Sequence, residues 1–268
     1  MARTYADREN ASFVLRRDAL NIMLDRLAAS AAASAAASAD TAAASAATST
    51  SASASAQDLD FVELFAGDHA VSRGLRAFGY SGLTFDIRTI DPKHDILTPV
   101  GCLAALAAVK RLRPNGLLFA APVCSTWVFM SRGSTGRDLA LAGHWKTSRP
   151  VMAANAMAAR VAALCHFAAS AGSHFVVEQP ATTVMYSYKP FMALRTAWAV
   201  KQVRLCMAVY GGGSLKPSWL VGTAPWLHRL ALRLGQADRA YLMTPSVLTT
   251  VQSVGAGGGR SVQLHRRS

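Results

Sequence analysis

The chain has 268 residues, 51% of them hydrophobic, and its 28 Lys and Arg against 15 Asp and Glu leave a formal charge of +13. That length suits one sizeable domain with attachments, and the charge fits either an anionic partner, nucleic acid before an acidic surface, or an inert basic exterior. The four cysteines (Cys102, Cys124, Cys165, Cys206) form no Cys-x-x-Cys pair, and no apolar run approaches the roughly twenty residues of a membrane span. Neither a zinc site nor a disulfide framework is expected, and no membrane; an intracellular, reducing location follows, with nucleus and organelle not distinguished.

In chain order, residues 1–27 include FVLRRDALNIMLDRL, where Phe13, Leu20, Leu24 and Leu27 fall near one face of a helix. This is a docking helix, a partner-binding helix or part of a targeting peptide; Asp7, Glu9, Asp18 and Asp25 argue against the last. Residues 28–56 are almost entirely Ala, Ser and Thr, with no large side chain to bury, and read as a disordered linker.

The α/β domain is expected over 57–235, followed by a basic tail over 236–268. LDFVELF (59–65) predicts a strand stopped by Ala66-Gly67, a helix follows over 68–78, and GLTFDI (82–87) predicts a second strand ending on an acid. A helix is expected over 103–112, a turn at Pro114-Asn115-Gly116, and a third strand in LLFAA (117–121). A long alanine-rich helix spans 151–171, then HFVVE (174–178) reads as a strand. VRLCMAVY and SWLVGT flank Gly211-Gly212-Gly213 at hairpin spacing. Such alternation predicts a Rossmann-like, doubly wound, mostly parallel sheet with an antiparallel edge hairpin. Right-handed crossovers then bring Phe65, Asp86, Ala121 and Glu178 to one rim.

Three features at that rim bear chemistry. Gly67 in a strand-turn-helix, followed about twenty residues later by Asp86, fits nucleoside binding, the acid accepting from ribose hydroxyls. Cys124 lies where an apolar strand gives way to a Ser/Thr/Arg/Gly segment, as a working nucleophile or a small apolar filler. With Glu178 it makes a thiolate that adds to an electron-poor ring and a carboxyl that protonates a ring nitrogen. Arg132 and Arg137, in SRGSTGR, are expected to supply positive potential and phosphate contacts on a segment able to act as a lid. Trp127 and Phe129 are either base-stacking or packing residues, and Asn155 and Arg160 either brace the cysteine loop or serve as solvated or capping groups. Cys102, Cys165 and Cys206 are expected in the core. His144, His166 and His174 lack ligand-like spacing, and no metal site is expected.

Taken together, these stretches resemble the cytosine-5 DNA methyltransferases, enzymes of the class I methyltransferase type that use S-adenosylmethionine. FVELFAGDHAVSRGLRAFGY looks like that family's Phe-Ala-Gly loop and helix, FDI like its ribose-binding acid and HDIL like its adenine-contacting Asp-Ile. APVCSTW resembles the Pro-Cys nucleophile loop and VVEQP the strand ending in the catalytic Glu. The resemblance implies catalysis by Cys124 and Glu178, and S-adenosylmethionine held by Phe65, Ala66, Gly67, Asp86, Ile87, Asp95, Ile96 and Pro122. It further implies nucleic acid as substrate, DNA before RNA, contacted by Arg132, Arg137 and Lys216. On that resemblance Cys124 attacks C6 of a flipped cytosine, Glu178 protonates N3, and C5 takes the methyl group.

The chain departs from the family at His69, where a second glycine stands, and at Val123, Ser125 and Gln179-Pro180. SLKPSWLVG occupies the place of a Gln-x-Arg-x-Arg motif, with Lys216 as the substitute cation. Neither a closing cofactor motif nor a separate target-recognition domain is visible. Two other readings stand beside it: a catalytically silent member of the fold that binds nucleic acid or a protein, and a Cys-dependent hydrolase or transferase with His174 as base.

Overall fold

The computed structural model describes residues 57–89, 91–140, 148–210 and 216–231, together with the backbone of 248–254 and 260–266. The expectations for 1–27 and 28–56, for His144 and for Gly211 to Gly213 lie outside the described residues.

Strand β1 (Leu59–Leu64) is central, because its period-two side chains serve both faces. Val62 and Leu64 join one core cluster, and Phe61 the other. It pairs in parallel with β2 (Gly82–Phe85) on one side and β3 (Leu112–Ala120) on the other. Beyond β3 comes β4 (His174–Pro180), again parallel. The sheet is completed by β5 (Lys201–Cys206) and β6 (Pro217–Gly222), giving the order β2-β1-β3-β4-β6-β5.

Helices α2 (Pro99–Lys110), α4 (Arg149–Ser170) and α5 (Lys189–Ala197) belong to the larger cluster, with Val109, Val161 and Leu194 buried in it. Helix α1 (Ala70–Ala77) and the turn Leu227–Leu230 cover the opposite face through Leu75 and Leu227. Both faces of a mostly parallel sheet are therefore buried, as the alternation of strands and helices implied. A four-residue helix α3 (Arg132–Thr135) follows the cysteine loop.

The structure departs from the sequence expectations in several places. The turn at Pro114-Asn115-Gly116 is an irregularity within β3: the register moves from Leu59↔Leu112 to Phe61↔Leu117, and Asn115 takes φ 64°. One extra loop of backbone is absorbed there because Asn115 N–H donates to the Gly172 carbonyl, 2.8 Å. Helix α2 starts four residues earlier than expected, with Thr98 Oγ1 accepting from Gly101 N–H (2.9 Å) as cap and Pro99 in the first turn.

The expected antiparallel pair at the sheet edge is present, β5 pairing with β6. Strand β6 pairs antiparallel with both β4 and β5, so it lies inside the sheet and β5 forms the edge. Composition explains the choice: β6 is SWLVG-rich and largely buried, whereas β5 exposes Lys201, Gln202 and Arg204. Helix α4 proves long and apolar enough to cross a membrane, contrary to the sequence expectation, but half of that apolar window is buried within the molecule, as in a core helix. In the expected tail, β7 (Leu248–Val254) and β8 (Arg260–Arg266) pair as a two-stranded antiparallel sheet.

Candidate functional site

The chain passes from β1 outward to β2, then returns to place β3 on the other side of β1. The carboxyl ends of β1 and β3 therefore flank a topological switch point, where open α/β sheets bind ligands. The two loops that leave those strands are Phe65 to His69 and Ala121 to Cys124.

The first loop is conformationally unusual. Phe65, Gly67 and His69 all have positive φ, at 60°, 53° and 56°. Two of the three are not glycine, and each such residue costs on the order of 1 kcal/mol or more. The surrounding bonds hold this shape. Gly67 N–H donates to Asp86 Oδ2 (2.7 Å), and Ala66 N–H donates to the Phe85 carbonyl (3.1 Å). Glu63, only 3% exposed, accepts from the Ser72 amide (3.0 Å) and ties α1 to β1. Burial raises the Glu63 pKa, opposed by the Ser72 bonds and the charges of His69 and Arg76.

Asp86 is held at the end of β2 by two amides, those of Gly67 and of Arg88 (2.9 Å). Burial pushes its pKa up, but the Arg88 and Gly67 amides, with the charges of Arg88 and His69, outweigh it and leave the carboxyl below its ordinary value. It is an ionised acceptor beside the glycine loop. In front of Gly67 a side chain would meet open space, and the adjacent Ile87 is 64% exposed. An open glycine turn, an ionised acid and an exposed apolar side chain fit the ribose, and the flat ring joined to it, of a nucleoside cofactor.

Asp95 and Ile96 lie in the loop leading to α2, with Ile96 buried and Asp95 Oδ1 accepting from Leu97 N–H, 2.8 Å. Arg160 of α4 donates to the Ile96 carbonyl and, at 3.4 Å, to that of Thr98. Arg160 therefore braces the Asp95-Ile96 loop rather than the cysteine loop. The Asp86 amide also reaches His94 Nδ1 at 3.4 Å, and His94 lies beside the Phe85 ring.

At the end of β3, Pro122 is buried and its carbonyl accepts from Gln179 Nε2 at 2.5 Å. Gln179 is wholly buried and also accepts from Thr183 Oγ1, 3.3 Å. The chain then turns, Trp127 N–H donating to the Cys124 carbonyl (2.8 Å), and leaves Cys124 partly exposed. A cavity of about 390 Å³ opens there, lined by Pro122, Cys124 and Ser125 from this loop, Glu178 from β4, Lys216 just before β6 and Ser218 within it. The thiol and the carboxyl predicted to work together thus line the same space. Burial raises the Glu178 pKa, opposed by a bond from Ser218 and the charge of Lys216.

The remaining candidates divide. Lys216 is at the cavity, as noted. Arg132 is partly exposed, its guanidinium 4.7 Å from the centroid of the Phe129 ring. Arg137 corrects the expectation of a phosphate contact: it is 1% exposed, lies 3.5 Å over the Trp127 ring and donates to Asn155 Oδ1 at 2.7 Å. Desolvation lowers its pKa to about 10, against a favourable contribution from Tyr188. Asn155 and Trp127 are accordingly internal braces of this segment. Cys165 is buried, while Cys102 and Cys206 are only partly so. His166 accepts from Trp198 Nε1 at 3.0 Å, a structural role.

Ser218, His94 and Glu63 were not singled out from sequence, and Gln179 was noted there only as a departure from the resembled family. Its position did carry a structural signal, since it follows Glu178 on a strand and must face the opposite side. No protein-family model matches the chain, and no curated protein matches it.

Proposed function

We propose that the chain is a class I, S-adenosylmethionine-dependent methyltransferase that acts at C5 of cytosine in nucleic acid, DNA before RNA, through Cys124. The observation that carries this reading is the shared cavity of Cys124 and Glu178 beside the switch point of the sheet. The parallel sheet with its antiparallel strand near one edge is compatible with that enzyme type.

In this reading Gly67, Asp86 and Ile87 hold the nucleoside part of S-adenosylmethionine, with Phe65, Ala66, Asp95, Ile96 and Pro122 around it. The bound cofactor supplies an electrophilic methyl group. Cys124 Sγ, as thiolate, forms a bond to C6 of the ring while Glu178 passes a proton to N3, so the displaced electron pair becomes available at C5. Burial lifts Glu178 toward the protonated form that such a step requires. After C5 has taken the methyl group, its proton leaves to solvent, the Cys124 thiolate is expelled and N3 returns its proton to Glu178. Gln179, through the Pro122 carbonyl, keeps the cysteine loop against β4. The base must leave the stack to expose its ring face, which Lys216 assists as a cation lining the cavity and Arg132 as a cation on the segment that follows the cysteine loop.

The test uses an oligonucleotide containing 5-fluorocytosine, whose C5 substituent cannot be lost as a proton. A covalent adduct is expected with S-adenosylmethionine present, and none with Cys124→Ser or Glu178→Gln. Cys124→Ser should retain cofactor binding, because the thiol acts in chemistry alone. Methyl transfer by Cys124→Ser at the wild-type rate would make Cys124 packing and sink the mechanism.

A second reading, a catalytically silent member of the fold, is favoured by one observation: His69 takes a left-handed conformation in the loop position where the resembled family has glycine. Calorimetric titration with S-adenosylmethionine separates the two. No heat of binding at millimolar cofactor in the wild type, restored by His69→Gly, selects the silent reading.

A further inference from the structure

Between two buried anchors, the segment that follows the cysteine loop projects outward. Trp127 is fully buried, and Thr135 and Arg137 are 5% and 1% exposed. Between them, Phe129 is 57% and Met130 89% exposed. The projection is not a loose loop. Val128 bridges Thr183, Val184 N–H donates to the Trp127 carbonyl (2.8 Å), and Ser131 N–H and Oγ both return to the Val128 carbonyl at 3.0 and 2.8 Å. Thr135 Oγ1 donates to the Ser131 carbonyl at 2.7 Å, and Gly136 N–H to that of Arg132 at 2.8 Å. The backbone is thus stapled on both sides of an apolar tip.

An aromatic ring and a methionine exposed side by side on a rigid tip form an apolar surface suited to an interaction partner. Arg132 adds a positive charge to the tip, stacked on Phe129, and it makes no ion pair among the described residues. The tip begins four residues after Ser125, which lines the cavity, and Val123 on the same loop is 53% exposed.

We propose that Phe129, Met130 and Arg132 form a stacking platform for single-stranded nucleic acid beside the cavity. The ring and thioether receive unpaired base faces, and the guanidinium neutralises a neighbouring phosphate. A strand with free base faces suits the tip because paired bases in a duplex bury those faces on one another. The chain's charge of +13 complements a polyanion, which an apolar peptide or a second copy of this chain would not match. The platform rests on the reading that the cavity takes a nucleobase, yet its contacts are independent of Cys124 and of the cofactor.

The experiment measures fluorescence anisotropy of a labelled single-stranded oligonucleotide of mixed sequence with the full chain and no cofactor. Phe129→Ala is expected to weaken binding by about tenfold, within the range for loss of one base-aromatic stack. Arg132→Ala should lower the slope of log affinity against log salt by about 0.7, the contribution of one phosphate on a single strand. An abasic oligonucleotide of equal length should bind the wild type more weakly, and Phe129→Ala should change its affinity little, which a general loss of structure would not produce. Circular dichroism melts establish that each exposed-site variant is folded. Folded Phe129→Ala and Arg132→Ala proteins that bind as the wild type does would overturn the platform. So would sedimentation showing a dimer that Phe129→Ala dissolves while oligonucleotide affinity is unchanged. A platform effect without methyl transfer supports this inference and overturns the reaction; methyl transfer with no Phe129 effect does the reverse.

Discussion

Glu178 stands between opposing influences. Burial raises its pKa, while the Ser218 bond and the Lys216 charge hold the rise in check. As the proton donor to N3, Glu178 must be protonated, so the transfer rate falls as pH climbs through its pKa. Lys216→Met removes the stabilisation of the carboxylate and lifts that pKa further. The alkaline limb of the single-turnover rate profile should therefore move to higher pH; a limb that moves down or stays would show that Glu178 is not the donor. Arg137 makes a different case. Its guanidinium is buried on Trp127 and bonded to Asn155 and to the Val151 carbonyl. Arg137→Met should cost about 2–4 kcal/mol in urea denaturation, since removing a buried, bonded charge leaves its acceptors unpaired. Nucleic-acid affinity of the folded variant should change little, contrary to a phosphate-binding role.

Elements position these side chains through close approaches that their sequences permit. Helix α2 sits directly on the Asp95 loop because Gly101 has no side chain: a Cβ there would overlap the Asp95 carbonyl oxygen. Gly101→Ala is therefore expected to displace the Asp95-Ile96 loop, destabilise the fold by about 1–3 kcal/mol and weaken S-adenosylmethionine binding. Thermal melts and calorimetric titration check both parts, and an unchanged affinity would remove Asp95 and Ile96 from the cofactor site. Most element types were legible beforehand, since LDFVEL, GLTF and HFVVE are short apolar runs bounded by turn residues. The irregularity in β3 was not. Pro114-Asn115-Gly116 is the chemistry of a turn, and only pairing with β1 before it, at Leu112, and after it, from Leu117, kept the strand running through it. Helix α5 was missed as well, because KPFMALRTA is short and buries only Phe191 and Leu194.

At the scale of the whole molecule, all six strands of the main sheet and the two core clusters found among the described residues lie between Leu59 and Leu230. A chain lacking residues 1–56 should accordingly fold to the same sheet, with a thermal midpoint within a few degrees of the full chain. Loss of the cooperative transition would show that the N-terminal part contributes to the core.

The sequence by itself determined the alternation of strands and helices, and with it the rim where Gly67, Asp86, Cys124 and Glu178 belong. Those features follow from local periodicity and from the handedness of crossovers, which act over a few tens of residues. Tertiary structure alone decided which side chains share a space. It buried Arg137 on Trp127, turned Arg160 to the Asp95-Ile96 loop, and placed β6 between β4 and β5, bringing Lys216 and Ser218 to Glu178. Each of those outcomes depends on packing between segments tens of residues apart. An arginine reads the same in sequence whether it meets solvent or an indole ring, and only the neighbours that the fold supplies distinguish the two.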